Sequence, residues 1–196
     1  NNVLANYYKA TLYKEAGNFP DAVSLYNRVL SLDPNHVQAQ NDLLALIKQQ
    51  TNPAVVAQEL GNYAARFARS PLIQTKVGEE FHAMKDYDSA ITYYNRAIGL
   101  DPRLAAAHAN LGAAYQALGQ QENSLSAYRK ALELDTANKT VRDLLASAEQ
   151  SVGFEHYQKA VELQQQGKTE MAIAEFNRAL SIDPDNPDIL AAYGVS

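Results

Sequence analysis

Between residues 17 and 35 the apolar positions Ala22, Val23, Tyr26, Val29 and Leu30 recur at three- and four-residue steps, which is one face of an α-helix. The same stripe returns as Ala90, Ile91, Tyr94, Ala97 and Ile98, and again as Ala172, Ile173, Phe176, Ala179 and Leu180. Charged residues between them, such as Arg28, Arg96, Arg129, Arg178 and Glu133, fall on the other side and read as a solvated outer face.

The stripes belong to a longer repeat. Residues 17–35, 85–103, 119–137 and 167–185 read alike, and their closing residues Pro34, Pro102, Thr136 and Pro184 are separated by 68, 34 and 48 residues. A doubled gap implies a hidden unit at 37–70, where Leu43, Leu44 and Ile47, then Val56, Leu60 and Tyr63, make two helical patterns around Pro53. This unit is degenerate, having lost its loop glycine and closing proline. Each unit therefore predicts two helices joined by a tight turn. Gly17, Gly119 and Gly167 stand where the first helix must end, because glycine takes the left-handed conformation there at little cost. Asn18 and Asp86 follow as expected N-caps, and Pro20 falls in the first turn, where its missing N–H does no harm. Asp33-Pro34, Asp101-Pro102 and Asp183-Pro184 close their units, since a residue before proline is pushed out of helical geometry.

Small and large residues alternate between the helices. Gly78, Gly112, Ala10 and Ala160 on first helices, with Ala22, Ala90, Ser124 and Ala172 on second helices, allow close approach. Tyr13, Phe81, Tyr115, Tyr26, Tyr94, Tyr128 and Phe176 then fill the space between units. One hairpin cannot bury such a surface, but stacked neighbours can.

These positions resemble the tetratricopeptide repeat, as Leu111, Gly112, Tyr115, Ser124, Tyr128 and Ala131 illustrate. The chain departs from the family pattern at the degenerate second unit and at Thr136, which lacks the proline. Asn6, Gln74, His108 and His156 also replace the aromatic that often opens the first helix. The resemblance implies an all-α, right-handed α-solenoid of antiparallel helix pairs. Its units are 3–36, 37–70, 71–104, 105–138 and 153–186 in a single array.

Residues 139–152 do not fit the period. Fourteen residues is close to four helical turns, so an apolar face can cross them in phase. Val141, Leu145, Ala148, Val152, His156, Ala160 and Leu163 keep that face. They predict one long helix from about 139 to 166, or two collinear helices kinked near Gly153. The competing reading is a capping helix followed by a flexible link. Residues 187–196 resemble the start of a further unit, or a cap.

Composition narrows the function. Of 196 residues, 46% are hydrophobic and 20% charged, and the net charge is −5, which argues against a nucleic-acid partner. No apolar run reaches the roughly 20 residues of a membrane span, so a soluble protein is expected, cytoplasmic or periplasmic. The chain opens Asn1-Asn2 rather than Met and reads as a fragment. Without cysteine there are no disulfides and no thiolate zinc sites. The four histidines, His36, His82, His108 and His156, lie too far apart for a helical zinc pair. His82 after Glu79-Glu80 invites an acid/base role, but on a first helix these residues read better as groove lining. His108 and His156 occupy packing positions. No catalytic residues, metal or cofactor are expected.

In the family the first helices line a concave groove that holds a peptide or protein segment. Carried onto this chain, that groove would include Tyr7, Thr11, Asn41, Lys48, Thr75, Glu79, His82, Asn110, Gln116 and Tyr157. Clustered lysines and arginines for an acidic chaperone tail are lacking; only Asn41 and Lys76 approach that arrangement. The expectation is a non-enzymatic adaptor or scaffold. The alternatives are a substrate-recruiting region of a larger enzyme and a self-assembly module, a homo-oligomer through its terminal repeats.

Overall fold

The computed structural model describes residues 2–194 as eleven helices, with no strand among the described residues. They are α1 Val3–Glu15, α2 Phe19–Leu32, α3 Val37–Lys48, α4 Pro53–Arg66, α5 Pro71–Ala83, α6 Tyr87–Leu100, α7 Ala105–Ala117, α8 Gln121–Leu134, α9 Lys139–Gln165, α10 Thr169–Ile182 and α11 Pro187–Gly194. Consecutive helices pack as repeating antiparallel pairs, as in α1 with α2 and α7 with α8. The chain divides into two compact units, 1–77 and 78–196, with the division inside α5.

The turns follow from backbone chemistry. Gly17, Gly119 and Gly167 have φ of 76°, 70° and 71°, and Lys85 takes the same left-handed place at 63°. Asp86 caps α6 by accepting from Ser89 N at 3.2 Å. Asn18 does not cap α2: its amide donates instead to the Asp21 carboxylate at 2.7 Å, a charge-assisted bond that outcompetes the cap.

Polar residues near the starts of several first helices have a job that the repeat pattern did not reveal. Gln40 donates to Pro34 O at 2.7 Å, His108 Nε2 to Pro102 O at 3.1 Å, and Arg142 to Thr136 O at 2.6 Å. Each reaches back six residues and ties a helix start to the turn before it. Gln74 does the same for the degenerate unit, donating to Ala64 O at 2.9 Å and Phe67 O at 3.0 Å. These are carbonyls at the C-terminal end of α4, which lacks the Asp-Pro closure. Gln74 is 1% exposed, so water could not serve them instead.

In four of the five hairpins one buried aromatic sets the core, and in the 37–70 unit Leu60 stands in its place. Tyr26, Tyr94, Tyr128 and Phe176 are all essentially inaccessible to solvent. A Cβ on Gly112 would lie 2.7 Å from ring carbons of Tyr128, and one on Gly78 would lie 2.6 Å from the Tyr94 ring. Both glycines therefore make room for a ring, rather than for a second small residue alone. Ser124 adds a hydrogen bond to Gly112 O at 2.9 Å.

α9 is continuous through Gly153 for 27 residues. Its two halves serve different neighbours. Val141, Ala148 and Val152 are buried with Leu125, Tyr128 and Ala131 of α8. Ala160 and Leu163 are buried with Ala172, Phe176 and Ala179 of α10. Two separate apolar patches on one helix explain why the period stretches to 48 residues here without losing phase.

Candidate functional site

In the first unit the side chains of the first helices are linked across repeats. The Tyr7 hydroxyl donates to Asp42 Oδ2 at 2.9 Å, and Lys14 Nζ donates to Asp42 Oδ1 at 2.7 Å. Thr11 donates to Tyr7 O and lies 3.2 Å from the Tyr26 hydroxyl. Burial, reinforced by the neighbouring carboxylate, pushes the Tyr7 hydroxyl above its ordinary value. The bond to Asp42 raises Lys14 against the opposing effect of burial. Tyr7 also faces His36, with ring centroids 4.7 Å apart. It is thus a half-buried, immobilised ring with one edge open.

Asn41 and Lys48 are exposed on α3. Asn41 accepts from Lys76 Nζ of α5 at 2.9 Å, so the two residues nearest to a carboxylate-binding arrangement are paired with each other. Thr75 is a correction. It is 3% exposed and its hydroxyl donates to Pro71 O at 2.9 Å, inside its own helix. The helix turns that position into the core, so Thr75 offers nothing to a ligand.

In the second unit Glu79 is exposed and accepts from Asn110 Nδ2 at 2.9 Å, again joining two first helices. Gln116 accepts from the Tyr128 hydroxyl at 2.9 Å, which orients its amide. His82 is half-buried beside Tyr87, ring centroids 5.1 Å apart, with its Nε2 buried away from any protein partner. Tyr157 is half-buried, 6.3 Å from Phe154 and 6.4 Å from Phe176 between ring centroids. Phe154 itself is 56% exposed.

Two features escaped the sequence. Asp42 lies one position beyond the repeat equivalent of Tyr7, and the offset of 35 residues recurs between Asn41 and Lys76. That recurring offset is a usable signal. The second feature is an ionic cluster on α10. Glu175, 7% exposed, meets His156 Nδ1 at 2.7 Å, Lys159 Nζ at 2.7 Å and Arg178 at 3.0 Å, while His156 Nε2 lies 3.2 Å from Glu122. Leu25, Tyr93 and Ala127 stand at the equivalent positions of other units, so an acid on the apolar stripe marked the site. His156 is therefore a bridge between α8 and α10 as well as a packing residue.

Among the described residues no group of three or more His, Cys, Asp or Glu could hold a metal ion. No helix of the described residues is long and apolar enough to cross a membrane.

Paired helices with a recurrent buried ring, joined through side chains on successive first helices, define a helical-repeat protein. Tetratricopeptide repeat models match residues 3–36 and 105–138, and a TPR repeat model matches 78–119 and 162–196. The chain belongs to the tetratricopeptide repeat family. That family and fold are generally those of non-catalytic interaction modules. Protein bimA of Emericella nidulans is 25% identical over 183 residues, covering 92% of this chain and 20% of bimA. The chain spans between 20% and 32% of the length of the relatives first found by sequence. In structure it is similar to the C-terminal part of a TPR repeat-containing protein from Cytophaga hutchinsonii, with TM-score 0.58 and 15% identity over 97% of this chain and 73% of that one. It is also similar to MamA AMB-1, with TM-score 0.53 and 19% identity over 97% and 96% of the two chains. At those identities the likeness shows the fold.

Proposed function

We propose that the protein is a non-catalytic scaffold that holds a peptide or protein segment against its first helices. One observation carries this reading: the polar groups there are held in fixed positions by bonds from the adjacent first helix. Tyr7 on Asp42, Asn41 on Lys76, and Asn110 on Glu79 are such pairs. A side chain already ordered loses less freedom when it binds, and side-chain amides suit the backbone of an extended segment. Half-buried Tyr7 in the first unit and Tyr157 in the second offer apolar anchors.

The test compares wild type with a Tyr7→Ala, Asn41→Ala, Asn110→Ala variant as bait in extract of the source cells. Circular dichroism confirms that both are folded. Specific partners should be recovered at roughly tenfold lower yield with the variant, as expected for loss of one anchor and two hydrogen bonds. Equal recovery by two folded baits would dismiss the assignment.

A second reading, self-assembly, is favoured by one feature. Leu4, Tyr8 and Leu12 form an exposed stripe on α1, at 57%, 64% and 65% exposure. Leu46 and Ala114, which occupy the equivalent of Leu12 in later units, are buried. Among the described residues nothing covers this stripe, and a second copy could do so. Light scattering over a concentration range should then show association that a Tyr8→Lys, Leu12→Lys variant abolishes. A strict monomer at every concentration removes this reading.

A further inference from the structure

The extra length of α9 leaves a recess beside the end of α10. Gly153 sits level with the end of α10, since a Cβ there would lie 3.7 Å from Ile182. The residues of α9 before Gly153 therefore run on past the α10 terminus. The turn after α10 and the start of α11 lie beside them. In that corner is an open cavity of about 410 Å³, bounded by Ser151, Phe154 and Tyr157 of α9 and by Asp183, Asn186 and Asp188. Its size is that of a site for one long side chain and the backbone around it.

The chemistry of the walls is one-sided. Asp183 and Asp188 bring two carboxylates, and no basic residue lines the cavity. Asp183 uses one oxygen to accept from Asn186 Nδ2 at 2.8 Å, and Asp188 is exposed at the start of α11. Opposite them stand two aromatic rings, tilted 33° to one another. Phe154, 56% exposed, leaves its ring open to a ligand in the cavity. Two carboxylates fall short of the six or more oxygens a calcium ion takes, and aromatic walls would not hydrate a metal. An organic cation satisfies both walls. A guanidinium does so best, because its planar face stacks on a ring while its N–H fork donates to carboxylates. The chain already displays the stacking half of that contact, with Arg96 lying 4.9 Å from the centroid of the Tyr93 ring.

We propose that this recess receives an arginine side chain of the partner segment, and so sets the specificity of one end of the binding face. The inference rests on the scaffold reading, because Phe154 and Tyr157 belong to the same first-helix face.

The experiment titrates the blocked tripeptide acetyl-Ala-Arg-Ala-amide into the isotope-labelled full chain and follows backbone amide shifts. The same tripeptide with citrulline, which keeps the shape and removes the charge, is the control. Saturable shifts confined to 147–157 and 183–189 are expected. Binding should be at least roughly fivefold weaker for citrulline, for Asp188→Asn and for Phe154→Ala. It should weaken also in about 0.5 M salt, which screens an exposed ion pair. Asp188 and Phe154 are exposed, so neither substitution disturbs packing, and a thermal melt verifies this. Equal affinity for arginine and citrulline, or an absence of saturable shifts at these residues, overturns the proposal. If the tripeptide fails while the Tyr7, Asn41 and Asn110 variant still loses its partners, the recess alone is refuted. If partner recovery is unchanged in that variant, the wider reading falls whatever the tripeptide does.

Discussion

Phe176→Ala is expected to lower the unfolding free energy by about 3–5 kcal/mol, the largest effect of any single truncation considered for this chain. Phe176 has no solvent exposure and lies among Ala160, Leu163, Ala172, Ala179 and Ile189. Its ring also meets Tyr157 at 6.4 Å and Tyr193 at 5.8 Å. Deleting it removes the largest fully buried side chain of the cluster between α9 and α10. The alanines around it cannot close the void, because their helices are already in contact. Urea unfolding followed by circular dichroism checks this, and the midpoint should fall clearly. Phe176→Tyr is the informative partner experiment. Tyr128 occupies the same place in its own unit and donates to Gln116 at 2.9 Å, and Gln164 is the repeat equivalent of Gln116. The tyrosine should therefore cost under about 1 kcal/mol. If it costs as much as the alanine, the units are not equivalent at the level of packing.

Glu175→Gln is expected to cost about 1–3 kcal/mol at neutral pH, and this cost should shrink in acid. Burial pushes the Glu175 carboxyl up. Hydrogen bonds from Lys159 and His156, with the charges of Lys159 and Arg178, outweigh it and leave the group below its ordinary 4.5. A folded-state value below the unfolded one means that the unfolded chain binds the proton more readily. The stabilisation is therefore complete above about pH 4.5 and is lost as the pH falls through the folded value. Lys159 and Arg178 are 58% and 61% exposed, so both regain water when the charge is removed; that keeps the cost at the lower end for a buried ion. Unfolding curves of wild type and variant at pH 7 and pH 3 provide the check. A gap between the two that stays constant over that range would refute the account.

Both experiments probe what repetition alone does not specify. The repeat phase was legible because each hairpin writes its own apolar face in a local period, so Ala22, Tyr26 and Val29 announce a helix before any neighbour is known. The turn glycines were legible for a similar reason, since a left-handed residue is a local demand met cheaply by glycine. The apolar march between Val141 and Leu163 left a continuous helix, a kink near Gly153 and a capping helix with a link all open, and α9 is the continuous form. The weak second unit was readable through Leu43, Ile47, Leu60 and Tyr63, all of them buried as their spacing predicts.

The proposed binding surface was less legible. Family positions indicated which helices would present it, and Tyr7, Asn41, Asn110 and Tyr157 lie on those helices partly or wholly accessible. Thr75 shares a first helix with them yet is buried, because a position at the edge of a helical face turns inward or outward with a small rotation of that helix. Asp42 and Glu175 were missed because a polar residue shows its partner only in three dimensions. Sequence by itself determined the all-helical hairpins and the buried rings Tyr26, Phe81, Tyr94, Tyr128 and Phe176, while Tyr13 and Tyr115, expected among them, are only half-buried; hydrophobic periodicity and turn chemistry act within a few residues. Tertiary structure decided which polar side chains meet across repeats and where the long helix leaves a recess, because those depend on the register between helices, which a local period does not encode.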